Sequence, residues 1–186
     1  PITILPILYK LFSKVLLAKV KGILDAQQSV NQAGFRAGYS CDDHLFAVTL
    51  LAEMFREFQR PLWLLAVDFR KAFDCLSHDA LRTSLQEQGV PTVLINTLQN
   101  IYAGQSCRVQ GDRLSKRFEI ERGVRQGDPI SPVLFNAALE KMMRELEAMW
   151  LSKGWGVKTV GKRRLLDLRF ADDLLLVSGS LHQAKG

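Results

Sequence analysis

Leu165-Leu166-Asp167-Leu168-Arg169-Phe170-Ala171-Asp172-Asp173-Leu174-Leu175-Leu176-Val177 is the stretch that decides how this chain folds. Two adjacent carboxylates, Asp172 and Asp173, separate two apolar runs where a strand must turn back on itself. About a hundred residues upstream a third carboxylate, Asp68, ends another apolar run, Trp63-Leu64-Leu65-Ala66-Val67. That run is short and continuous, and it predicts a strand buried on both faces. Carboxylates at the ends of buried strands are costly unless positive charge is bound there. Two strands of one sheet can bring their acidic ends together, and three carboxylates within a few ångströms repel unless cations bridge them. Two divalent ions about 3.5–4 Å apart meet that need and point to nucleotidyl transfer. Asp42-Asp43 is the internal control. It follows Ser40 at the start of a helical pattern, where capping and the helix dipole account for both acids.

Composition sets the outer limits. With 186 residues and 47% hydrophobic content, the chain can bury a core as one domain or two small lobes. No run of about 18 apolar residues is present, so no membrane span is expected. The opening Pro1-Ile2-Thr3-Ile4-Leu5-Pro6 lacks the pattern of a signal peptide and has no initiator Met, as expected of a piece of a longer polyprotein. The three cysteines, Cys41, Cys75 and Cys107, are widely spaced and odd in number. That argues against a disulfide framework or zinc cluster and for a reducing compartment, with nucleus and cytoplasm both left open. The net charge of +6 suits a polyanionic partner without requiring one.

Leu8, Leu11, Phe12, Val15 and Leu16 predict a helix from about Pro6 to Gly22, with Lys10, Lys14 and Lys21 within about 40° of one another on it. Such a lysine stripe is ordinarily a solvated face. Ser40 caps a second predicted helix with Leu45, Val48, Ala52, Phe55 and Phe58 as its apolar face, stopped by Pro61. Ser77 caps a third, closed by Gly89, and Val93 to Tyr102 forms a fourth. Arg108 to Ile120 predicts a hairpin turning at Gly111-Asp112, with Arg113, Lys116 and Arg117 along it. Ser131-Pro132 opens the clearest helix, which Gly154 and Gly156 end. Val157 begins a strand, with a turn at Gly161-Lys162 before the strand into Phe170. The irregular alternation of helices and strands predicts an α+β fold.

A third element is Gly123-Val124-Arg125-Gln126-Gly127-Asp128-Pro129-Ile130-Ser131-Pro132. Its glycines permit close backbone approach to a ligand. Ser131 as cap and Pro132 at the first helical position would present free N–H groups. An ordinary loop-to-helix entry has the same spacing.

Together these blocks resemble the fingers and palm of a reverse transcriptase of the non-LTR (LINE-type) retrotransposon class. Pro1 to Leu24 is similar to the family's opening segment, and Gln32-Ala33-Gly34-Phe35-Arg36-Ala37-Gly38-Tyr39-Ser40 to its Gln-x-Gly-Phe-Arg-x-Gly-x-Ser block. Asp68-Phe69-Arg70-Lys71-Ala72-Phe73-Asp74 resembles the first catalytic motif. Gly123 to Asn136 resembles the Gly-x-x-Gln-Gly-Asp-Pro block, and Phe170-Ala171-Asp172-Asp173 the Ala-Asp-Asp signature.

The resemblance implies an antiparallel palm sheet packed on helices, with mainly helical fingers at about 1–60 and 77–122, palm at about 61–76 and 123–186, and no thumb. It implies RNA-directed DNA polymerase activity with two Mg2+ ions, Mn2+ being an alternative. Asp68 and Asp172 would ligate both ions, with Asp173 as the third acid. Phe73 would lie under the sugar of the incoming nucleotide. Gln126, with Gly127, would border that nucleotide, Phe69 would add a substrate contact, and Arg36 would face the triphosphate. RNA template, DNA primer and dNTPs are the implied partners, with thumb and endonuclease elsewhere in the polyprotein. Two other readings stay open. An RNA-dependent RNA polymerase shares the palm, although Phe73 at the sugar position argues against it. A catalytically inert nucleic-acid-binding remnant would keep the same motifs.

Overall fold

A computed structural model describes residues 3–109, 111, 113–159 and 163–182. The chain forms two compact units, one of Pro1–Gln27 with Lys71–Ala138, the other of Gln28–Arg70 with Leu139–Gly186.

In the first unit, α1 (Ile7–Gln27) starts after Pro6, as its fixed φ favours. It buries Ser13, Leu16, Val20 and Leu24. The i, i+4 spacing of Leu16, Val20 and Leu24 carries the helix past Gly22, where the sequence pattern ends it. A lone glycine costs only about 1 kcal/mol, less than burying Leu24 returns. The buried stripe also differs from the expected one, because Leu8, Leu11, Phe12 and Val15 are exposed. Next come the single turn α3 (Ala72–Cys75), α4 (His78–Glu87) and α5 (Thr92–Tyr102). Ser77 caps α4 by accepting the Ala80 N–H, and Gly89 follows its end at φ +80°. Leu81, Leu85, Ile95, Leu98 and Leu134 close the core against α1. The expected hairpin at 108–120 narrows to two-residue strands, β2 (Ser106–Cys107) and β3 (Phe118–Glu119), paired antiparallel. Its Asp112 lies outside the described residues.

The boundary between the units falls within α6 (Ser131–Ser152). The second unit also holds α2 (Cys41–Glu57), β1 (Trp63–Asp68), β4 (Val157–Lys158), β5 (Arg164–Leu165), β6 (Asp167–Phe170) and β7 (Asp173–Ser178). The turn expected at Gly161-Lys162 lies outside the described residues. Ser40 and Asp43 form the capping box of α2. Of the expected apolar face of α2, Phe55 is buried, alongside Leu51, while Leu45 and Phe58 are exposed.

Three strands form an antiparallel sheet in the order β1-β7-β6. Paired residues share a face. One face carries Ala66, Leu175 and Leu168 and looks across a cavity onto Leu45 and Val48 of α2, while Leu51 and Phe55 pack with Val177. The opposite face carries Asp167 and Arg169, which meet Glu140 and Glu147 of α6. The expectation that β1 is buried on both faces fails. Among the described residues β1 is an edge strand with β7 as its one ladder partner, and Trp63, Leu64 and Leu65 remain 39%, 42% and 43% exposed.

Candidate active site

The turn between β6 and β7 has two residues, Ala171 and Asp172, closed by the pair Phe170–Asp173. On the other side of β7, Asp173 stands opposite Asp68, the last residue of β1. Facing residues on an antiparallel pair have Cα atoms about 4.5–5.5 Å apart and project to the same side. Asp68, about a hundred residues upstream, is thus brought to the end of the sheet that carries Asp172 and Asp173. Asp68 and Asp173 are exposed and Asp172 is half-buried. Among the described residues no hydrogen bond or ion pair engages their carboxylates. Asp68, Asp173 and Phe170 rim a cavity of about 350 Å³ between the sheet and α2, where Cys41, His44, Leu45 and Val48 line the far wall.

Unpaired carboxylates are hard oxygen donors of the kind magnesium takes. The residues therefore fit a divalent ion in ligand chemistry and in backbone placement. In the side-chain arrangement described, no group of three His, Cys, Asp or Glu is gathered into a ligand cage.

Beneath the acids lies a buried charge network. The Arg169 guanidinium, 1% exposed, reaches Asp167 at 2.6 Å, Glu140 at 3.1 Å and Glu147 at 2.5 Å. Glu140 also holds Arg144 at 2.9 Å. With three carboxylates on one buried guanidinium, burial first and the Asp167 charge second push the Glu147 carboxyl up to about 7, against the pull of Arg169.

The other expected site residues are placed as follows. Phe73, in α3, is half-buried, and its ring stacks on Phe135 with centroids 4.9 Å apart and planes 15° apart. Phe69, just after β1, is half-buried. Arg36 donates to the carbonyls of Ser29 at 2.6 Å and Gln32 at 3.0 Å, and lies 4.2 Å over the Tyr39 ring. Gln126 accepts the Thr3 N–H through its carbonyl at 2.8 Å, and Gly127 turns at φ +99°. Arg125 is drawn onto the Tyr9 ring at 4.8 Å and the Gln105 side chain at 3.3 Å.

Asp128 takes the capping work expected of Ser131. Its carboxylate accepts the Ile130 N–H at 3.3 Å, the Tyr9 hydroxyl at 2.6 Å and the Ser13 hydroxyl. Ile130 in turn accepts the first helical bond, from Leu134, so the helix enters one residue earlier than the Ser-Pro pattern indicates. Burial and the Asp128 carboxylate raise the Tyr9 pKa well above the ordinary phenol value, and burial pushes Tyr102 up to about 12. Asp128 and Arg169 are structural residues that the sequence reading passed over. Asp128 stands inside a quoted motif, and Arg169 directly precedes Phe170.

An acid-tipped hairpin beside an acid-ended edge strand, on a helix-backed antiparallel sheet, is the layout of a polymerase palm. The chain belongs to the reverse transcriptase family, whose model, "Reverse transcriptase (RNA-dependent DNA polymerase)", matches residues 1–186. It is 30% identical over 177 residues to the Pol polyprotein of the type-2 retrotransposable element R2DM of Drosophila melanogaster, covering 95% of this chain and 16% of that protein. It is 31% identical over 183 residues to the Pol polyprotein of the type-1 retrotransposable element R2 of Popillia japonica, covering 95% of this chain and 24% of the relative. The chain thus spans less than a quarter of the length of these relatives. A telomerase from Candida albicans in complex with a fragment of telomeric RNA superposes with TM-score 0.65 at 15% identity, covering 95% of this chain and 31% of that one. An apo telomerase from Candida tropicalis gives 0.61 at 15% identity, covering 95% and 36%. At that identity the likeness is one of fold.

Proposed function

We propose that this chain carries out RNA-templated DNA synthesis, in which a primer 3′-hydroxyl attacks a deoxynucleoside triphosphate and pyrophosphate leaves. The observation that carries this reading is the register that sets Asp68 opposite Asp173, with Asp172 in the adjoining turn. Asp68, Asp172 and Asp173 would hold the divalent ions, Asp68 and Asp172 touching both. Two Mg2+ ions bound there, or Mn2+ in their place, would favour the deprotonated 3′-hydroxyl and neutralise the departing pyrophosphate. Gln126 and Gly127 would border the incoming nucleotide, Phe69 would add a contact, Arg36 would face the triphosphate, and Phe73 would lie under the sugar. The fingers would comprise about 1–60 and 77–122, and the palm about 61–76 and 123–186. RNA template, DNA primer and dNTPs are the proposed partners, with membership of a retrotransposon polyprotein supported by the relatives.

Primer extension by the full-length protein tests the reading. Asp172→Asn removes charge at constant volume, so extension should be abolished with the melting temperature unchanged. Near-wild-type extension by a folded Asn variant would sink the assignment.

A further inference from the structure

We infer that Gln32 is a positioning residue for the acid-bearing turn, its carboxamide gripping both backbone groups of Ala171; this rests on the polymerase reading above. Ala171 is the first residue of the two-residue turn, is 6% exposed, and sits at φ +58°. That left-handed conformation suits glycine and is unfavourable for alanine. Being in the turn, Ala171 lies beyond the last ladder pair, so its buried N–H and C=O need other partners.

Gln32 supplies both. The Ala171 N–H donates to Gln32 Oε1 at 2.9 Å, and Gln32 Nε2 donates to the Ala171 carbonyl at 3.1 Å. The same Oε1 accepts the Gly34 N–H at 2.8 Å, and Gln32 itself is 1% exposed. The side chain thus continues a ladder begun by its own backbone. The Arg169 N–H donates to the Asn31 carbonyl at 2.7 Å, and the Ala33 N–H to the Arg169 carbonyl at 2.9 Å. His44 Nε2 meets that same Arg169 carbonyl at 2.9 Å. Gly34 lies so close that a β-carbon there would stand 2.1 Å from the Ala171 nitrogen. Segment 31–34 therefore runs as a short parallel rail beside residues 169–171, and its one buried amide fixes the turn conformation from which Asp172 and Asp173 project. A carboxamide reads a single backbone unit through one donor and one acceptor, a match that no apolar or purely accepting side chain offers.

The test uses the full-length protein. In the wild type the Ala171 amide should exchange its hydrogen as slowly as the amides of β7, and exchange at the rate of an exposed turn would overturn the inference. Gln32→Met keeps the volume and removes the grip. In this variant, exchange at Ala171 should speed at least tenfold. Mn2+ affinity, titrated by electron paramagnetic resonance without nucleotide, should fall at least fivefold. The kcat for dNTP insertion should fall at least tenfold, with template–primer affinity within twofold of wild type. A folded Met variant with unchanged Mn2+ affinity and unchanged kcat would mean that Gln32 serves the fold alone, and the inference is then wrong. If wild-type protein extends no primer, the polymerase reading fails, while exchange and Mn2+ titration still decide the grip.

Discussion

Phe73 concentrates a question at one side chain. Its ring stacks on Phe135 and packs against the core of its unit, which by itself makes it a structural aromatic. On the function proposed above, the same ring would have a second duty, excluding a 2′-hydroxyl from the space over its other side. Nothing apolar there can hydrogen-bond that hydroxyl, so a ribonucleotide would meet both a clash and a desolvation cost. Both duties predict measurable effects for Phe73→Val. Loss of the stacked ring should lower stability by about 1–3 kcal/mol, read as a drop in melting temperature. Loss of the gate should raise rNTP relative to dNTP insertion about tenfold, equivalent to about 1.4 kcal/mol of discrimination. A destabilised but active Val variant with an unchanged nucleotide preference would leave Phe73 as core only and reopen the RNA-polymerase reading.

At the scale of the element, β6 owes its position to charge buried on one face. Arg169→Met would strand Glu140, Asp167 and Glu147 without their shared guanidinium. Breaking a buried ion pair on one side costs about 3–5 kcal/mol, so a large fall in denaturant midpoint is expected. A change within about 0.5 kcal/mol would mean the network is dispensable. The pH dependence has a definite sign. Glu147 has its folded pKa raised from 4.5 to about 7, so its contribution to stability is complete below about pH 4.5 and is lost as pH rises through 7. Glu147→Gln, neutral throughout, should lose less stability than wild type between pH 4.5 and 7.5, checked by melting temperature against pH. Parallel curves would place the titration elsewhere. The links from Arg169 to Glu140 and Glu147 were not legible in the sequence, because they join residues 29 and 22 apart across two elements. The capping box of Ser40 and Asp43 was legible because both partners lie within one turn. The apolar run of β1 looked like an interior strand because composition registers hydrophobicity and carries no record of which neighbours arrive to cover it.

For the whole molecule, the net charge of +6 becomes a statement about binding. Lys10, Lys14, Arg113, Lys116 and Arg117 are exposed, Lys21 is half-buried, and Arg36 is held by its own loop. If several of these meet phosphates, template–primer affinity should fall with salt at a log–log slope of about −0.9 per phosphate neutralised on B-form duplex, and somewhat differently on a hybrid. A flat dependence would make the charge incidental. The register that sets Asp68 opposite Asp173 was legible because strand ends of one sheet leave few arrangements. The grip of Gln32 on Ala171 spans 139 residues, and nothing local in either segment announces it.

The 2.1 Å approach at Gly34 reaches beyond this one molecule. A degenerate copy of a retrotransposable element could keep all three aspartates and still be altered at position 34. A single methyl group at position 34 would collide with the Ala171 backbone and disarm a copy whose aspartates are all intact. A copy carrying Gly34→Ala should therefore be silent in a retrotransposition assay, and a mobile one would show that the rail can give way. An inventory of live elements that scores this glycine as well as the acids should come out shorter, and nearer the truth.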